Sequence, residues 1–399
     1  MKKSENRDYY CNFKFKFLKI DLTSNTIYNC HAAKPQKIDY AWLAEESNDL
    51  FNTETNVSER AMMMRNERNS SCEQNCWHSE DKGASSPRLW QGGASKTHDV
   101  INTPPEIIDL TISMDCNLTC TYCCKEYSTS WIRDIVNNGE YNYTNADDDL
   151  LNRNKITLRD NISLKVKQNK FKQINKYKTL LNEIVKYAEN LEELIITGGE
   201  PFVDNDLFDV LSQVNMREGS RVVLYTGLGL SFARFERYIN AIKSIKGPTF
   251  YLRISGDGIE KHLEFNRYGI KWDEYLKKIE FLKKQNINFE FQSTLSNLSI
   301  FGFSDFYKTF YEHGIRLTFA YNPRMMPIYV MDDESKNNIV DELSHVHDDF
   351  RNRIISAIKP TPSDIQRIQI KEFLTQFSER RADLSLEIFP KSFLKWVGI

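Results

Sequence analysis

From Glu106 onward, short apolar runs alternate with longer stretches in which apolar residues recur every three or four positions. Runs of about four to eight residues rich in Ile, Val, Phe, Tyr, Leu or Thr are typical of strands. The predicted strands are Ile107–Met114, Leu194–Thr197, Val222–Thr226, Thr249–Ser255, Asn288–Leu295 and Arg316–Tyr321. The predicted helices between them are Tyr177–Ala188, Leu207–Val214, Phe232–Ile245, Trp272–Lys284 and Phe303–His313. Strands that alternate with helices predict an α/β fold, with a parallel sheet built from βα units.

Periodicity alone leaves two architectures open for these units, an open sheet and a partial barrel. In both, binding and catalytic groups lie in the loops that follow the carboxyl ends of the strands. Those loops are therefore the place to look for chemistry.

Three regions lie outside the alternation. Residues 1–100 lack strong helical patterns and predict a small separate domain around a metal site, before the sheet domain of residues 101–330. Within the latter, residues 125–176 are rich in Asn, Asp and Lys, which predicts a solvated insertion; a lid or substrate-contacting element is the alternative. Residues 331–399 predict a helical extension that includes one amphipathic stretch, Ile339–Ile358.

Composition and charge exclude several classes of protein. The chain has 399 residues, 40% hydrophobic and 27% charged, as in globular proteins. Its net charge of -2 argues against an overall basic nucleic-acid binder. An uninterrupted apolar run long enough for a membrane span is absent from the sequence, and the first ten residues lack the apolar core of a signal peptide. We therefore expect a cytoplasmic protein with neither a membrane nor a nucleic acid as its partner.

The distribution of the cysteines changes the picture. All 8 lie in the first third of the chain, at positions 11, 30, 72, 76, 116, 120, 123 and 124. The cytosol keeps thiols reduced, so a structural disulfide framework is not expected there. Clustered cysteines in such a protein are typical of metal or cluster ligands.

Cys116, Cys120 and Cys123 directly follow the first predicted strand in the order Cys-Asn-Leu-Thr-Cys-Thr-Tyr-Cys. A [4Fe–4S] cluster normally takes four thiolates. Three thiolates leave one iron open, as catalytic zinc sites leave a position for substrate. The spacing thus predicts a cluster that binds a ligand. The alternative is a zinc site, and with it a non-catalytic zinc-binding interaction module.

A second motif, Gly198-Gly199-Glu200-Pro201, ends the second predicted strand. Its two glycines allow a close approach of the backbone to a ligand, and Pro201 fixes φ at the start of the next segment. Its position one βα unit after the cysteine loop makes it informative.

Together these two motifs resemble the radical SAM (S-adenosylmethionine) superfamily over about residues 106–325. The resemblance implies a partial (β/α)6 barrel in which Cys116, Cys120 and Cys123 hold a [4Fe–4S] cluster. The open iron would chelate SAM, and Gly198–Pro201 would contact the SAM amine. One electron from the cluster would cleave SAM to methionine and a 5′-deoxyadenosyl radical, which removes hydrogen from a C–H bond.

Other positions match the family less closely. Tyr122 would pack near the adenine, and Ser255 and Asp257 resemble ribose- and carboxylate-contacting positions. Arg267 resembles an arginine that pairs with the SAM carboxylate, and Asn297 a polar site contact. Tyr321 and Asn322 would lie near the adenine. A turn or surface role is the alternative for each of them.

The remaining cysteines predict a second site. Cys11, Cys30, Cys72 and Cys76 are enough to saturate a second [4Fe–4S] cluster or a structural zinc. This part resembles the auxiliary-cluster domains called twitch and SPASM, although here it precedes the barrel. The resemblance extends to residues after the paired cysteines and after the cysteine loop, namely Glu80, Gly83, Ser85, Arg88 and Ser128–Gly139. Cys124, His31 and His78 could change the ligand count. Cys124 is a packed neighbour or, alternatively, a catalytic hydrogen-atom donor.

The resemblance implies an oxidoreductase or maturase-type enzyme. Its first candidate substrate is a peptide or other small molecule, subject to dehydrogenation, epimerisation or bond formation. A sugar or nucleoside is the second candidate. We expect SAM and a reductant such as flavodoxin or ferredoxin as partners. Radical methyl transfer usually needs further cysteines or a cobalamin domain, neither of which is evident in the sequence.

Overall fold

The computed structural model describes residues 8–45, 48–90, 93, 95–157, 174–203 and 207–399. Its strands are β1 Phe17–Asp21, β2 Thr26–Tyr28, β3 Gln36–Lys37, β4 Ile107–Thr111, β5 Thr119–Cys120, β6 Glu193–Thr197, β7 Arg221–Thr226, β8 Thr249–Ser255, β9 Arg267–Tyr268, β10 Asn288–Leu295 and β11 Ile315–Phe319. Its α-helices are α1 Phe13–Lys16, α2 Tyr40–Leu43, α3 Glu54–Met64, α4 His78–Asp81, α5 Pro87–Trp90, α6 Thr129–Asn138, α7 Asp148–Asn154, α8 Ile174–Tyr187, α9 Leu207–Gln213, α10 Phe232–Ser244, α11 Glu260–Asn266, α12 Trp272–Lys284, α13 Phe303–Phe310, α14 Asp333–Glu342, α15 Asp348–Ile358, α16 Asp364–Glu379 and α17 Lys391–Val397.

The predicted α/β alternation is confirmed. All the predicted strands form, and they lie side by side in chain order as β4, β6, β7, β8, β10 and β11. Every neighbouring pair in this series is parallel. Because each strand returns beside its predecessor after a helix, the loops at the carboxyl ends meet along one edge. This is the architecture of a partial (β/α)6 barrel.

The two faces of the sheet differ in polarity. On one face, side chains such as Ile108, Leu194 and Leu252 are fully buried. On the other face the strands carry partly exposed polar side chains. Ion pairs join neighbouring strands on this face: Lys19 lies 3.5 Å from Asp109, and Arg253 lies 2.6 Å from Glu290. The second face is therefore the open, polar inner face of the barrel.

The N-terminal segment adds three strands to the same sheet. Strand β1 pairs parallel with β4, and β2 and β3 continue the sheet antiparallel. A helical turn, Phe13–Lys16, precedes β1, which begins at Phe17. The apolar core around the first four cysteines is nevertheless distinct from the core of the barrel. The division into domains stays a prediction.

The C-terminal extension is helical, as predicted. The single stretch proposed for Ile339–Ile358 is wrong in detail, since α14 and α15 are separated by a turn at Leu343–His345. Helix α16 begins with a capping box between Ser363 and Gln366, which satisfies N–H groups at its first turn. None of the helices that the structure describes is long and apolar enough to cross a membrane.

Candidate functional site

The cysteine loop leaves the carboxyl end of β4, as predicted. Cys116 and Cys120 are buried and Cys123 keeps partial exposure. Burial, followed by the nearby Cys120, raises the pKa of the Cys116 thiol to about 12. Burial also raises the pKa of Cys123 well above its ordinary value, as do the charges of Cys124, Cys120 and Cys116. The thiols thus lie close enough for the negative charge of one thiolate to raise the pKa of the next. A bound cationic centre would stabilise all the thiolates.

Side chains at the start of helix α6 donate hydrogen bonds to backbone carbonyls of the cysteine loop. The Ser128 hydroxyl donates to the Leu118 carbonyl at 2.9 Å, and the Trp131 indole donates to the Cys120 carbonyl at 3.1 Å. The carbonyl of Cys116 accepts from the Ser130 hydroxyl at 2.8 Å. The prediction of a solvated insertion is therefore wrong for this stretch, because its apolar and hydroxyl residues face the cysteine loop. Residues 158–173 of the predicted insertion lie outside the described residues.

The C-terminal extension also reaches the loop. Arg381, 3% exposed, lies 2.9 Å from the Asp134 carboxylate of α6 and donates to the Thr119 hydroxyl at 3.2 Å. Arg380 lies 3.1 Å from the same carboxylate. Sequence reasoning included Trp131 in the Ser128–Gly139 stretch but did not predict its contact with the cysteine loop. It missed Arg381, since this residue lies in no motif and only the fold brings residue 381 to residue 119.

The Gly198–Gly199 turn packs against the strand that enters the cysteine loop. A Cβ atom on Gly199 would lie 2.4 Å from the Asp115 carbonyl oxygen, and one on Gly198 would lie 2.4 Å from that of Ser113. The Gly199 N–H donates to the Ser113 carbonyl at 2.9 Å, and the Glu200 N–H donates to the Asp115 carbonyl at 2.7 Å. The sequence predicted that these glycines let the backbone approach a ligand. In the structure they let the Gly198–Gly199 turn approach the backbone of residues 113–115. Backbone carbonyls can accept from a ligand ammonium, which is a donor.

The Glu200 side chain turns into the protein. It is 1% exposed, and its carboxylate accepts from the N–H groups of Gly227 at 2.7 Å and Phe202 at 3.3 Å. Burial raises its pKa. Pro201 is buried and begins a helical turn with Phe202. Glu200 therefore holds the neighbouring β7 loop in place.

Tyr122, Asp257, Arg267 and Cys120 form one network, in which Tyr122 is half-buried and the other three residues are buried. The Tyr122 hydroxyl donates to Asp257 Oδ2 at 2.6 Å, and Arg267 Nε donates to the same oxygen at 2.8 Å. Arg267 Nη1 lies 3.8 Å from Cys120 Sγ. Burial lowers the pKa of Arg267, but the Asp257 carboxylate outweighs it and holds that pKa well above its usual range.

Strand pairing sets the position of this network. Strand β9 pairs with β5, which puts Arg267 directly opposite Cys120. Asp257 follows β8, and its other oxygen accepts from the Thr294 N–H at 2.7 Å. The structure thus unites three residues predicted from distant stretches with the second cysteine of the loop.

Other predicted residues lie elsewhere. Ser255 is half-buried at the end of β8, and its carbonyl accepts from the Tyr275 hydroxyl at 3.0 Å. The Asn297 amide is buried and donates to the carbonyls of Met325 and Val330, at 3.0 and 3.1 Å. Asn297 therefore ties down a loop. Tyr321 is 71% exposed.

Cys11, Cys30, Cys72 and Cys76 gather in one buried cluster with Tyr10, Phe13, Phe15, Phe17, Met63 and Trp77. Burial, followed by the charges of Cys30 and Cys72, raises the pKa of Cys11 to about 12. Burial likewise raises the pKa of Cys72 to about 11. The four N-terminal thiols are thus grouped away from water, in a different cluster from the thiols of Cys116, Cys120 and Cys123.

The donor set of both groups is of one chemical type. Cysteine thiolates are the ligands that an iron–sulfur cluster takes, with three in the cysteine loop and four in the N-terminal cluster. Among the described residues, no group of three or more His, Cys, Asp or Glu side chains is placed to hold a single metal ion.

The remaining candidate ligands have other surroundings. Cys124 is buried and lines a cavity of about 30 Å³ with Cys123, Tyr143 and Arg153. Burial raises the pKa of Cys124 to about 12. The His31 ring packs on Phe17, with centroids 4.3 Å apart, and His78 is exposed. Within the described part of the chain, neither histidine is brought into hydrogen-bonding contact with the four N-terminal thiols.

The segment that carries the cysteine loop is similar to a known family. Residues 110–305, just under half of the chain, match the model of the Radical SAM superfamily. This segment contains the cysteine loop, the Gly198–Gly199 turn and the Asp257–Arg267 pair. The family implies a [4Fe–4S] cluster and SAM.

Several solved structures are similar to the chain at low identity. A histidine-tagged anSMEcpe with bound AdoMet is 14% identical, with a TM-score of 0.35 over 62% of this chain and 61% of that chain. Streptococcus suis SuiB bound to its precursor peptide SuiA is 12% identical, with a TM-score of 0.32 over 93% and 70%. SuiB bound to S-adenosylmethionine is 11% identical, with a TM-score of 0.37 over 91% and 77%. The chain thus spans less than two thirds of the anSMEcpe chain. A comparison with curated proteins found no significant match.

Proposed function

We propose that the chain uses its radical SAM domain, residues 110–305, to cleave SAM reductively and abstract hydrogen from an organic substrate. The observation that carries the proposal is the loop of Cys116, Cys120 and Cys123 at the carboxyl end of β4. Its thiols are grouped and its backbone is fixed by two other elements. A [4Fe–4S] cluster held by these three thiolates would supply the one electron that cleaves SAM to methionine and a 5′-deoxyadenosyl radical.

The surrounding residues supply binding and orientation. Arg267 has five N–H donors, of which one is used by Asp257 and one points to Cys120. Its remaining donors suit the SAM carboxylate, as the sequence predicted. Asp257 fixes the guanidinium and the Tyr122 hydroxyl at once, so it acts as a positioning residue. Tyr122 stays half-buried, which leaves its ring available to the adenine.

The polar inner face of the barrel supports a substrate rich in hydrogen-bonding groups. Thr197 donates to Asp109 at 3.0 Å, and Gln292 donates to Thr318 at 3.2 Å on the same face. Such a surface suits a peptide, our first candidate, and also a sugar or nucleoside, our second. Excluding water from this face would protect a radical intermediate.

We further propose that the N-terminal cysteines hold an auxiliary [4Fe–4S] cluster. Four buried thiols are enough to ligate every iron, which favours electron relay over substrate binding. We expect a flavodoxin- or ferredoxin-type protein to supply the electrons. This would make the chain an oxidoreductase or maturase-type enzyme.

Anaerobic reconstitution tests these proposals. The wild type should bind about eight irons, and a Cys116/Cys120/Cys123→Ala variant about four, since each cube holds four. SAM should perturb only the EPR signal that the variant lacks, and only the wild type should release 5′-deoxyadenosine. Cys124→Ala is the matched control, because it removes an adjacent thiol and should retain all the iron.

The outcomes separate the alternatives. Wild type with four irons and the variant with none would leave the N-terminal group as zinc or free thiols. Zinc without iron would favour the zinc-binding interaction module. Iron retained by the triple variant at the wild-type level would contradict the assignment of the loop.

A further inference from the structure

Lys14 lies inside the N-terminal cysteine cluster with only 1% of its surface exposed. Its ammonium forms an ion pair with Glu59 and donates to the Ser71 hydroxyl at 2.8 Å. The Ser71 hydroxyl in turn lies 3.9 Å from Cys72 Sγ. Lys14 is also close enough to Cys72 and Cys30 for its charge to interact with both thiols.

A buried ammonium requires partners that compensate for its loss of hydration. Lysine is almost never fully buried unless it is paired, because removing the charge from water costs several kcal/mol. Here buried polar side chains hold the partner of the ammonium in place. Asn29, 1% exposed, donates to Glu59 Oε2 at 2.6 Å and so holds the carboxylate against the ammonium.

The charges of Lys14, Glu59 and a cluster bound by the four thiolates determine the effect of the ammonium. The Ser71 hydroxyl beside Cys72 contacts both members of the ion pair, the ammonium at 2.8 Å. At Cys72 and Cys30 burial raises the pKa and the charge of the ammonium opposes that rise, so Glu59 neutralises the ammonium only in part. A cube with four thiolates carries net negative charge, which grows by one when it is reduced. A fixed cation beside it stabilises the reduced state more than the oxidised state.

We infer that Lys14 is a positioning residue that sets the reduction potential of the N-terminal cluster, with Glu59 as the opposing charge. The inference rests on the auxiliary cluster of the proposed function. A simple structural ion pair is the competing explanation, and the two differ in sign. An electrostatic role predicts opposite shifts when either charge is removed, whereas a structural role predicts loss of iron in both cases.

The test uses the full chain in the Cys116/Cys120/Cys123→Ala background, so that only the N-terminal cluster is observed. Iron and sulfide content and the midpoint potential by EPR-monitored titration are measured for three further variants. Lys14→Met should lower the potential and Glu59→Gln should raise it. The Lys14→Met/Glu59→Gln double variant should return it close to the starting value. Each should keep about four irons.

Each outcome decides the matter. Shifts of opposite sign with iron retained would support the inference. Unchanged potentials, shifts of one sign, or loss of iron in both single variants would overturn it. If Lys14→Met alone lost its iron, the direction of the Glu59→Gln shift would decide. A background protein without iron would remove the auxiliary cluster and the inference with it, whereas SAM cleavage by the wild type would still test the proposed function separately.

Discussion

Arg381 offers a test of how the C-terminal extension supports the cysteine loop. Removing one partner of a buried ion pair costs about 3–5 kcal/mol, because the other charge stays buried. Asp134 would keep Arg380 at 3.1 Å, which offsets part of this cost. The bond to the Thr119 hydroxyl, at 3.2 Å, would also be lost. We therefore expect Arg381→Met to lower the free energy of unfolding by about 2–3 kcal/mol.

Urea unfolding of the iron-free protein measures this loss, and the rate of iron release from the reconstituted protein measures its effect on the loop. Arg380→Met is the matched control, because its guanidinium pairs with the same carboxylate and otherwise donates to the Glu140 carbonyl, outside the cysteine loop. Arg381→Met should release iron faster than Arg380→Met. A decrease in the free energy of unfolding below about 1 kcal/mol, or equal rates of iron release from both variants, would refute the proposed support of the cysteine loop by Arg381.

Three further predictions concern single residues. Gly199→Ala should lower iron retention and destabilise the protein by about 1–3 kcal/mol, since the new Cβ meets backbone. Gly219→Ala is the control, because its φ of 86° strains the backbone while its Cβ meets nothing within 4 Å; it should leave the iron content unchanged. Trp131→Phe should remove the bond to the Cys120 carbonyl, cost about 1–3 kcal/mol and speed iron release, while equal release rates would argue against that bond. Burial lowers the pKa of His262, so the folded state binds fewer protons than the unfolded state below about pH 6.5. Its contribution to stability should therefore fall as the pH drops from 7 to 5, and His262→Gln should show a shallower fall in urea midpoints across that range, a slope unchanged from wild type counting against it.

The fold was predictable where local patterns decide it. The strands of the barrel alternate with amphipathic helices, and each strand is buried on its helix-facing side, so its composition identifies it. Strand β1 was not identified as part of the same sheet, because its pairing with β4 joins residues 17–21 to residues 107–111. Such a long-range pairing leaves no trace in periodicity. The break between α14 and α15 was missed because both halves carry compatible apolar spacing.

The site was predictable where the chemistry needs a fixed local spacing. The cysteine loop and the Gly198–Gly199 turn are both short motifs, and the structure places them against each other. The partnership of Arg267 with Asp257 depends on the pairing of β5 with β9, and the brace by Arg381 depends on a helix more than two hundred residues away. Long-range contacts of this kind decide orientation, and a single sequence does not encode them in any local pattern.

The placement of the two cysteine groups bears on what each can do. Ile107, the first residue of β4, packs on the N-terminal cluster, whereas Cys116 follows the last residue of the same strand, Thr111. A strand of five residues is about 17 Å long, so the groups lie at opposite edges of the sheet. One substrate atom cannot contact both. The proposed auxiliary cluster would therefore take part in chemistry at the cysteine loop by electron transfer, which is the process that a buried cation such as Lys14 would influence.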